Sequence, residues 1–119
     1  MITILKYQFF SQPSSIDDEV TVGANILISN DSDFLCDNYT IRVWIEGENS
    51  KDEPVQIVLV EHLYITPHEN KKVTLDGSLF YPKFTISDKT YAYNCRLELL
   101  DPNDNILKVF SAKLTIKND

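Results

Sequence analysis

The sequence predicts an all-β fold: a two-sheet antiparallel sandwich of about seven strands, with all 119 residues in a single domain. Apolar residues recur at every second position, as in Val20, Val22, Ala24, Ile26 and Ile28. This is the period of a strand with one buried face. Groups of Asp, Asn, Ser and Pro interrupt such stretches at short intervals, as turns do. A sandwich is favoured because a single open sheet would leave an apolar face in water.

The first three predicted strands are defined by composition and by alternation. The first, Ile2–Phe10, is rich in β-branched and aromatic residues and ends before a Gln-Pro-Ser-Ser break. The second, Glu19–Ser29, and the third, Tyr39–Gly47, have apolar residues at every second position, with mostly polar residues between them. The acidic segment 30–33 after the second strand predicts a turn between them.

The fourth predicted strand, Val55–Ile65, lies between two prolines and is followed by the fifth, Lys71–Asp76. A short helix is the alternative for the fourth segment, but its Val and Ile content and its length favour a strand. The residues between these two strands, Thr-Pro-His-Glu-Asn, predict a turn.

The last two predicted strands, Thr90–Leu100 and Ile106–Ile116, are predicted to form a hairpin. Asp101–Asn105 joins them, and in this segment Pro presets one φ while Asp and Asn cap the backbone and tolerate the left-handed region. The longest irregular stretch, Gly77–Lys89, is predicted to cross from one sheet to the other.

Three segments resemble immunoglobulin-like and fibronectin-type sandwiches, most closely the bacterial modules of the CARDB kind. They are Val20–Asn30, with its alternation followed by Asn, the strand Tyr39–Gly47, and the loop and strand Ile65–Val73. The resemblance implies a sandwich fold and says little about function, because this fold carries many functions.

The sixth predicted strand is similar to the tyrosine corner of immunoglobulin domains, because Tyr93 stands two residues before Cys95 and Asp88 lies upstream. An immunoglobulin disulfide would also need a Cys in the second strand, where this chain has Ala24 and Ile26. The sequence departs from the immunoglobulin pattern at this point.

Composition excludes several classes of function. The chain has 18 acidic and 11 basic residues and a net charge of -7, whereas nucleic-acid binding needs a basic face. It has 3 Gly, too few for a dinucleotide-binding fold. Neither a signal peptide nor an integral membrane segment is expected, so the predicted location is cytoplasmic. The alternative is an extracellular module of a larger or exported chain. Cys36 and Cys95 are expected to be free thiols.

No catalytic constellation is predicted, so we expect a protein that is not an enzyme and needs no cofactor. The sequence contains no Gly-x-Ser-x-Gly elbow and no His-Glu-x-x-His motif. His62 and His68 lack enough neighbouring ligands for zinc and are expected to be ordinary surface histidines.

A calcium site is the main alternative for function, as in C2-like domains that bind membranes or ligands. In an immunoglobulin-type topology, the loops after the second, fourth and sixth strands share one end of the sandwich. Carboxylates from separate loops are what Ca²⁺ requires, although Asp is also a common turn residue. The candidate ligands are Asp31, Asp33, Asp37, Asp101 and Asp104.

The leading hypothesis is a non-catalytic interaction module that binds a protein partner, or a second copy of itself, through a sheet face, an edge strand or a loop end. Trp44 alternates out of phase with the apolar residues of its strand, so we expect it on the outer face beside Arg42. The first strand ends in Phe9-Phe10 and is a candidate edge for pairing.

Overall fold

The chain forms two antiparallel β-sheets, as predicted. The computed structural model describes residues 2–13, 19–48, 54–76, 84–85 and 91–116, and no helix occurs among them. All seven predicted strands are present, most of them slightly longer than predicted, and a two-residue strand lies in the segment predicted to be irregular. The strands are β1 (Ile2–Pro13), β2 (Glu19–Asn30), β3 (Cys36–Glu48), β4 (Pro54–Ile65), β5 (Asn70–Asp76), β6 (Phe84–Thr85), β7 (Tyr91–Leu100) and β8 (Ile106–Ile116).

The first sheet has the order β1-β2-β5, and β6 pairs with the start of β2. The second sheet has the order β4-β3-β7-β8. The chain passes between the sheets from β2 to β3 and again from β4 to β5. The predicted hairpin is confirmed, since β7 and β8 pair antiparallel across the turn at Asp101–Asn105.

The core lies between the two sheets and is built from the alternating residues that predicted it. Val22, Ala24, Ile26 and Ile28 are buried on β2, and the second sheet contributes equally regular sets. Those sets are Ile41, Val43 and Ile45 on β3, Ile57, Leu59 and Leu63 on β4, and Tyr93, Cys95, Leu97 and Leu99 on β7. Within the described residues, these side chains belong to one hydrophobic cluster between the sheets.

Three residues with positive φ lie where the strands bulge or turn. Asn38 (φ 65°) stands at the register shift that inserts one extra residue into β3. His68 (φ 59°) and Asp104 (φ 63°) lie in the turns before β5 and β8. Asn, Asp and His enter this region more readily than other non-glycine residues. The use of Asp in the last turn, predicted from the sequence, is therefore confirmed.

Tyr93 occupies the position that resembles a tyrosine corner. Its hydroxyl donates to the Glu48 carbonyl at 2.5 Å, at the end of β3. The ring lies against Gly47, where a Cβ would collide with it. Asp88 lies outside the described residues.

The two cysteines are free and buried, as expected. Burial raises the pKa of the Cys95 thiol to about 11, and a backbone hydrogen bond involving Leu114 only partly offsets this effect. Cys95 therefore serves as a small apolar core residue.

Candidate binding surface on the second sheet

The outer face of the second sheet brings together the only Trp and both Arg residues of the chain. Trp44 on β3 pairs with Arg96 on β7, and Arg42 on β3 pairs with Glu98 on β7. Paired residues of antiparallel strands point to the same side of the sheet. The four side chains therefore form one group, which we call the arginine–tryptophan patch. The predicted outward position of Trp44 and Arg42 is confirmed.

Trp44 is held on three sides within the patch. The guanidinium carbon of Arg42 lies 5.3 Å from the centre of the indole ring, and that of Arg96 lies 5.0 Å from it. Both distances are within the range of cation–π attraction. The indole Nε1 donates to Glu98 Oε1 at 2.5 Å. The ring is thus fixed in one orientation and is half-buried by residues of its own sheet.

Glu98 is the charged centre of the patch. Although it is on the outer face, only 3% of its surface is exposed. Arg42 Nε donates to Glu98 Oε1 at 2.7 Å, and Arg96 Nε lies 3.7 Å from Oε2. Burial favours the neutral acid, but the hydrogen bonds from Arg42 and Trp44 and the charges of both Arg residues outweigh it. The pKa of the Glu98 carboxyl is therefore lowered, and the group is ionised at neutral pH.

Apolar side chains flank the patch on both edge strands. Arg42 pairs with Val60 and Trp44 with Val58 on β4, while Glu98 pairs with Val109 on β8. All three valines are exposed, Val60 by 48%. A shallow depression also opens beside Trp44, between Arg96, Ser111 and Lys113. This face therefore offers apolar area, a fixed aromatic ring and partly exposed cationic groups.

Arg96 and Glu98 were not among the candidates from the sequence. Both lie in the outward phase of the sixth predicted strand, as Arg42 and Trp44 do in the third. Alternation within one strand predicts which of its residues point outward. It does not predict which residues of two strands lie opposite each other, because that register is set by long-range packing. The signal available in the sequence was that both Arg residues of the chain fall in outward positions.

Three of the predicted calcium ligands lie in or beside the β2–β3 loop, where each is bonded to a different partner. Asp31 accepts hydrogen bonds from Ser29 and Thr3, and Asp37 accepts one from the Asn38 N–H. Asp33 Oδ1 lies 2.6 Å from His68 Nε2, and both residues are exposed.

The last two candidate ligands lie in the turn before β8. Asp101 accepts from the N–H groups of Asn103 and Asn105, and the Asn105 backbone is the largest cause that lowers the Asp101 pKa. Asp104 donates its N–H to the Asp101 carbonyl. Among the described residues, no three His, Cys, Asp or Glu side chains are grouped as a metal site would require. Calcium binding stays a prediction.

Asn30, which joins two loops, was also missed. It is fully buried, and its Nδ2 donates to the carbonyls of Phe34, Ile65 and Thr66 at 2.8, 3.0 and 3.1 Å. Its Oδ1 accepts from the Ser32 N–H and hydroxyl. Asn30 thereby fixes the β2–β3 loop to the end of β4. Asn30 continues the buried phase of β2 two residues after Ile28, but it was assigned to the predicted turn, so its burial was not predicted.

The remaining candidates have packing roles. Phe9 packs against the core, and Phe10 lies over Gly23 on the outer face of the first sheet. His62 and His68 are on the surface, as expected, and His62 Nδ1 lies 3.1 Å from the Thr40 hydroxyl.

The sequence matches no known protein-family model, and a comparison with curated proteins finds no significant match. Within the described parts of the chain there is no helix of the length and apolarity needed to cross a membrane.

Proposed function

We propose that this protein is a non-catalytic interaction module that binds a partner protein through the arginine–tryptophan patch. The observation that carries the proposal is the position of Trp44, held between two guanidinium groups and hydrogen-bonded to the buried Glu98. Trp and Arg are the residues most enriched among those that dominate binding energy in protein interfaces.

The rigidity of the patch supports a binding role. Association costs free energy when side chains must be ordered, about 0.5–1.5 kcal/mol for each mobile side chain. In the patch, the indole and the Arg42 guanidinium are already fixed by Glu98. These two side chains therefore lose their conformational freedom on folding, so that binding a partner does not have to order them. Because Glu98 neutralises one of the two Arg charges, the patch keeps one net positive charge for a partner.

The strand order supports the further proposal that the domain is an immunoglobulin-like or fibronectin-type sandwich related to CARDB-like modules. Immunoglobulin constant domains place strands A, B, E and D in one sheet and C, F and G in the other. Here β1, β2 and β5 take the places of A, B and E, and β3, β7 and β8 those of C, F and G. The fourth strand differs, because β4 pairs with β3. We place the module in the cytoplasm, as the sequence suggested.

The test is quantitative affinity capture from the cells of origin, comparing the wild type with Trp44→Ala and Arg96→Ala. Phe34→Ala is the matched control, since it truncates an exposed aromatic residue in the β2–β3 loop. We expect one protein to be lost with both patch variants and retained with the control. Hydrogen exchange on the purified complex should then slow in β3 and β7. Capture that is equal for all four proteins, or no specific capture by the wild type, would exclude the proposal.

A further inference from the structure

Apart from the two-residue β6, four strands of the described residues lie at sheet edges, and three of them share a feature that discourages pairing with other chains. The edges are β1 and β5 in the first sheet and β4 and β8 in the second. A charged residue that points inward from an edge strand makes a further strand unfavourable, because pairing would bury the charge. On three of these edges, a charged residue lies opposite a fully buried core residue of the neighbouring strand. Its side chain therefore points to the core side of the sheet. The pairs are Glu61 with Ile41 on β4, Lys71 with Ile28 on β5, and Lys108 with Leu99 on β8.

Strand β1 has no such charge. Its inward residues, paired with core residues of β2, include Ile4, Tyr7 and Phe9. Its one charged residue, Lys6, pairs with Leu27 and points outward. A bulge between Ile4 and Lys6 disturbs only the start of the strand. From Lys6 onward β1 is a regular edge, and among the described residues β2 is its only partner in the sheet.

The surroundings of this edge are apolar and basic. β8 lies beside β1, and the rings of Tyr7 and Phe110 are 4.9 Å apart. Leu5 and Tyr7 are exposed by 50% and 37%. The sequences of β1 and β8 contain three Lys and no acidic residue, in a chain with 18 acidic residues. These two strands therefore carry positive charge in a chain whose net charge is -7.

We propose that β1 is a second docking site, and that it accepts an extended acidic segment of a partner protein by strand addition. Backbone hydrogen bonds to the free edge supply affinity, and alternate side chains supply specificity. Apolar residues of the segment pack beside Tyr7, and its carboxylates lie near Lys6. A second copy of this chain is disfavoured as the occupant, because two surfaces of the same positive charge would meet. The proposal does not depend on the arginine–tryptophan patch.

The test uses two fluorescein-labelled ten-residue peptides, one alternating Val with Glu and the other alternating Val with Lys. Fluorescence anisotropy should show that the Glu peptide binds about tenfold more tightly, and that its affinity falls as salt is added. Tyr7→Lys gives β1 the inward charge that the other edges carry. Strand addition predicts that this variant loses binding, although simple charge attraction would predict tighter binding.

Matched variants on the outer face of the first sheet complete the test. Lys6→Glu should weaken binding of the Glu peptide about tenfold. Lys72→Glu should leave it unchanged, because Lys72 flanks Leu27 from β5, the far edge of the same sheet. Trp44→Ala should also bind normally, which separates this site from the patch. Equal binding of the two peptides, no binding, or a wild-type dimer that Tyr7→Lys dissociates would each overturn the proposal. Circular dichroism checks that every variant is folded.

Discussion

The loop end and the outer face of the second sheet are each organised by a buried polar side chain with several hydrogen bonds, Asn30 and Glu98, and these two side chains have different roles. Asn30 is bonded to loop backbone, including the carbonyls of Ile65 and Thr66. Glu98 is bonded to the ends of long side chains, Arg42 and Trp44, which remain partly exposed. The first arrangement fixes the path of the chain, whereas the second fixes the shape of a surface.

The comparison shows that burial alone does not identify a functional residue. Both groups are satisfied, and no buried side-chain polar atom of the described residues lacks a partner. The two groups differ in the kind of partner that they bond. Asn30 bonds loop backbone and so supports stability. Glu98 orders partly exposed Trp and Arg side chains, which prepares a surface for contact with another molecule. Substitutions at the two centres should therefore separate stability from binding.

The largest effect is expected for Asn30→Ala. The change removes five hydrogen bonds of the side chain, including those donated to the carbonyls of Ile65 and Thr66. We expect the free energy of unfolding to fall by about 3 kcal/mol, measured by urea denaturation. The control is Asn25→Ala, which removes one exposed bond from Thr74 and should cost no more than about 0.5 kcal/mol. Equal losses would show that Asn30 does not fix the loops.

The next largest effect is expected for Glu98→Gln. The variant keeps the shape and an acceptor for Trp44 but loses the charge that attracts both Arg residues. We expect a loss of about 1–2 kcal/mol at pH 7. This is less than for a fully buried ion pair, because the Arg side chains can regain water.

The pH dependence of this loss gives a second measurement. The pKa of Glu98 is lower in the folded protein than in the unfolded chain, where it is about 4.3. The stabilisation is therefore fully present above the unfolded pKa and is lost as pH falls through the folded one. The difference between wild type and Glu98→Gln should be constant above about pH 5.5 and shrink at lower pH. A difference that grows on acidification would contradict the ion-pair interpretation.

A smaller effect on stability, with a clear spectroscopic signal, is expected for Arg96→Ala. Its side chain is 45% exposed and forms one wall of the Trp44 site. We expect a cost of about 0.5 kcal/mol, together with a red shift of Trp44 fluorescence as water reaches the ring. Lys113→Ala, which changes an exposed cation on the neighbouring strand, is the control and should leave the emission unchanged. An unshifted spectrum for Arg96→Ala would mean that Arg96 does not cover the indole.

The sequence was sufficient for the seven long strands and, away from the bulges in β1 and β3, for the side of the sheet to which their residues point. Alternation at Ile26 and Ile28 placed them in the core, and the same rule placed Trp44 outside it. It was not sufficient to predict which residues contact each other across the fold. Glu98 and Asn30 acquire their partners from strands and loops far away in the chain, such as Arg42 and Ile65. Pairing register and loop packing depend on the whole fold, so local patterns did not predict either buried polar group.

The smallest effect is expected for calcium, and it tests whether the loop end has more than a structural role. Asp31 and Asp101 already accept hydrogen bonds from groups close to them in the chain, so binding a cation would require breaking part of these turns. We expect millimolar Ca²⁺ to leave the Tm of the wild type and of Asp101→Asn unchanged. A ligand that binds only the folded state at 100 times its Kd adds about 2.7 kcal/mol of stability, so real affinity would raise Tm measurably. A rise in the wild type that Asp101→Asn abolishes would establish the calcium site and give the loop end a binding role like that proposed for the sheet face.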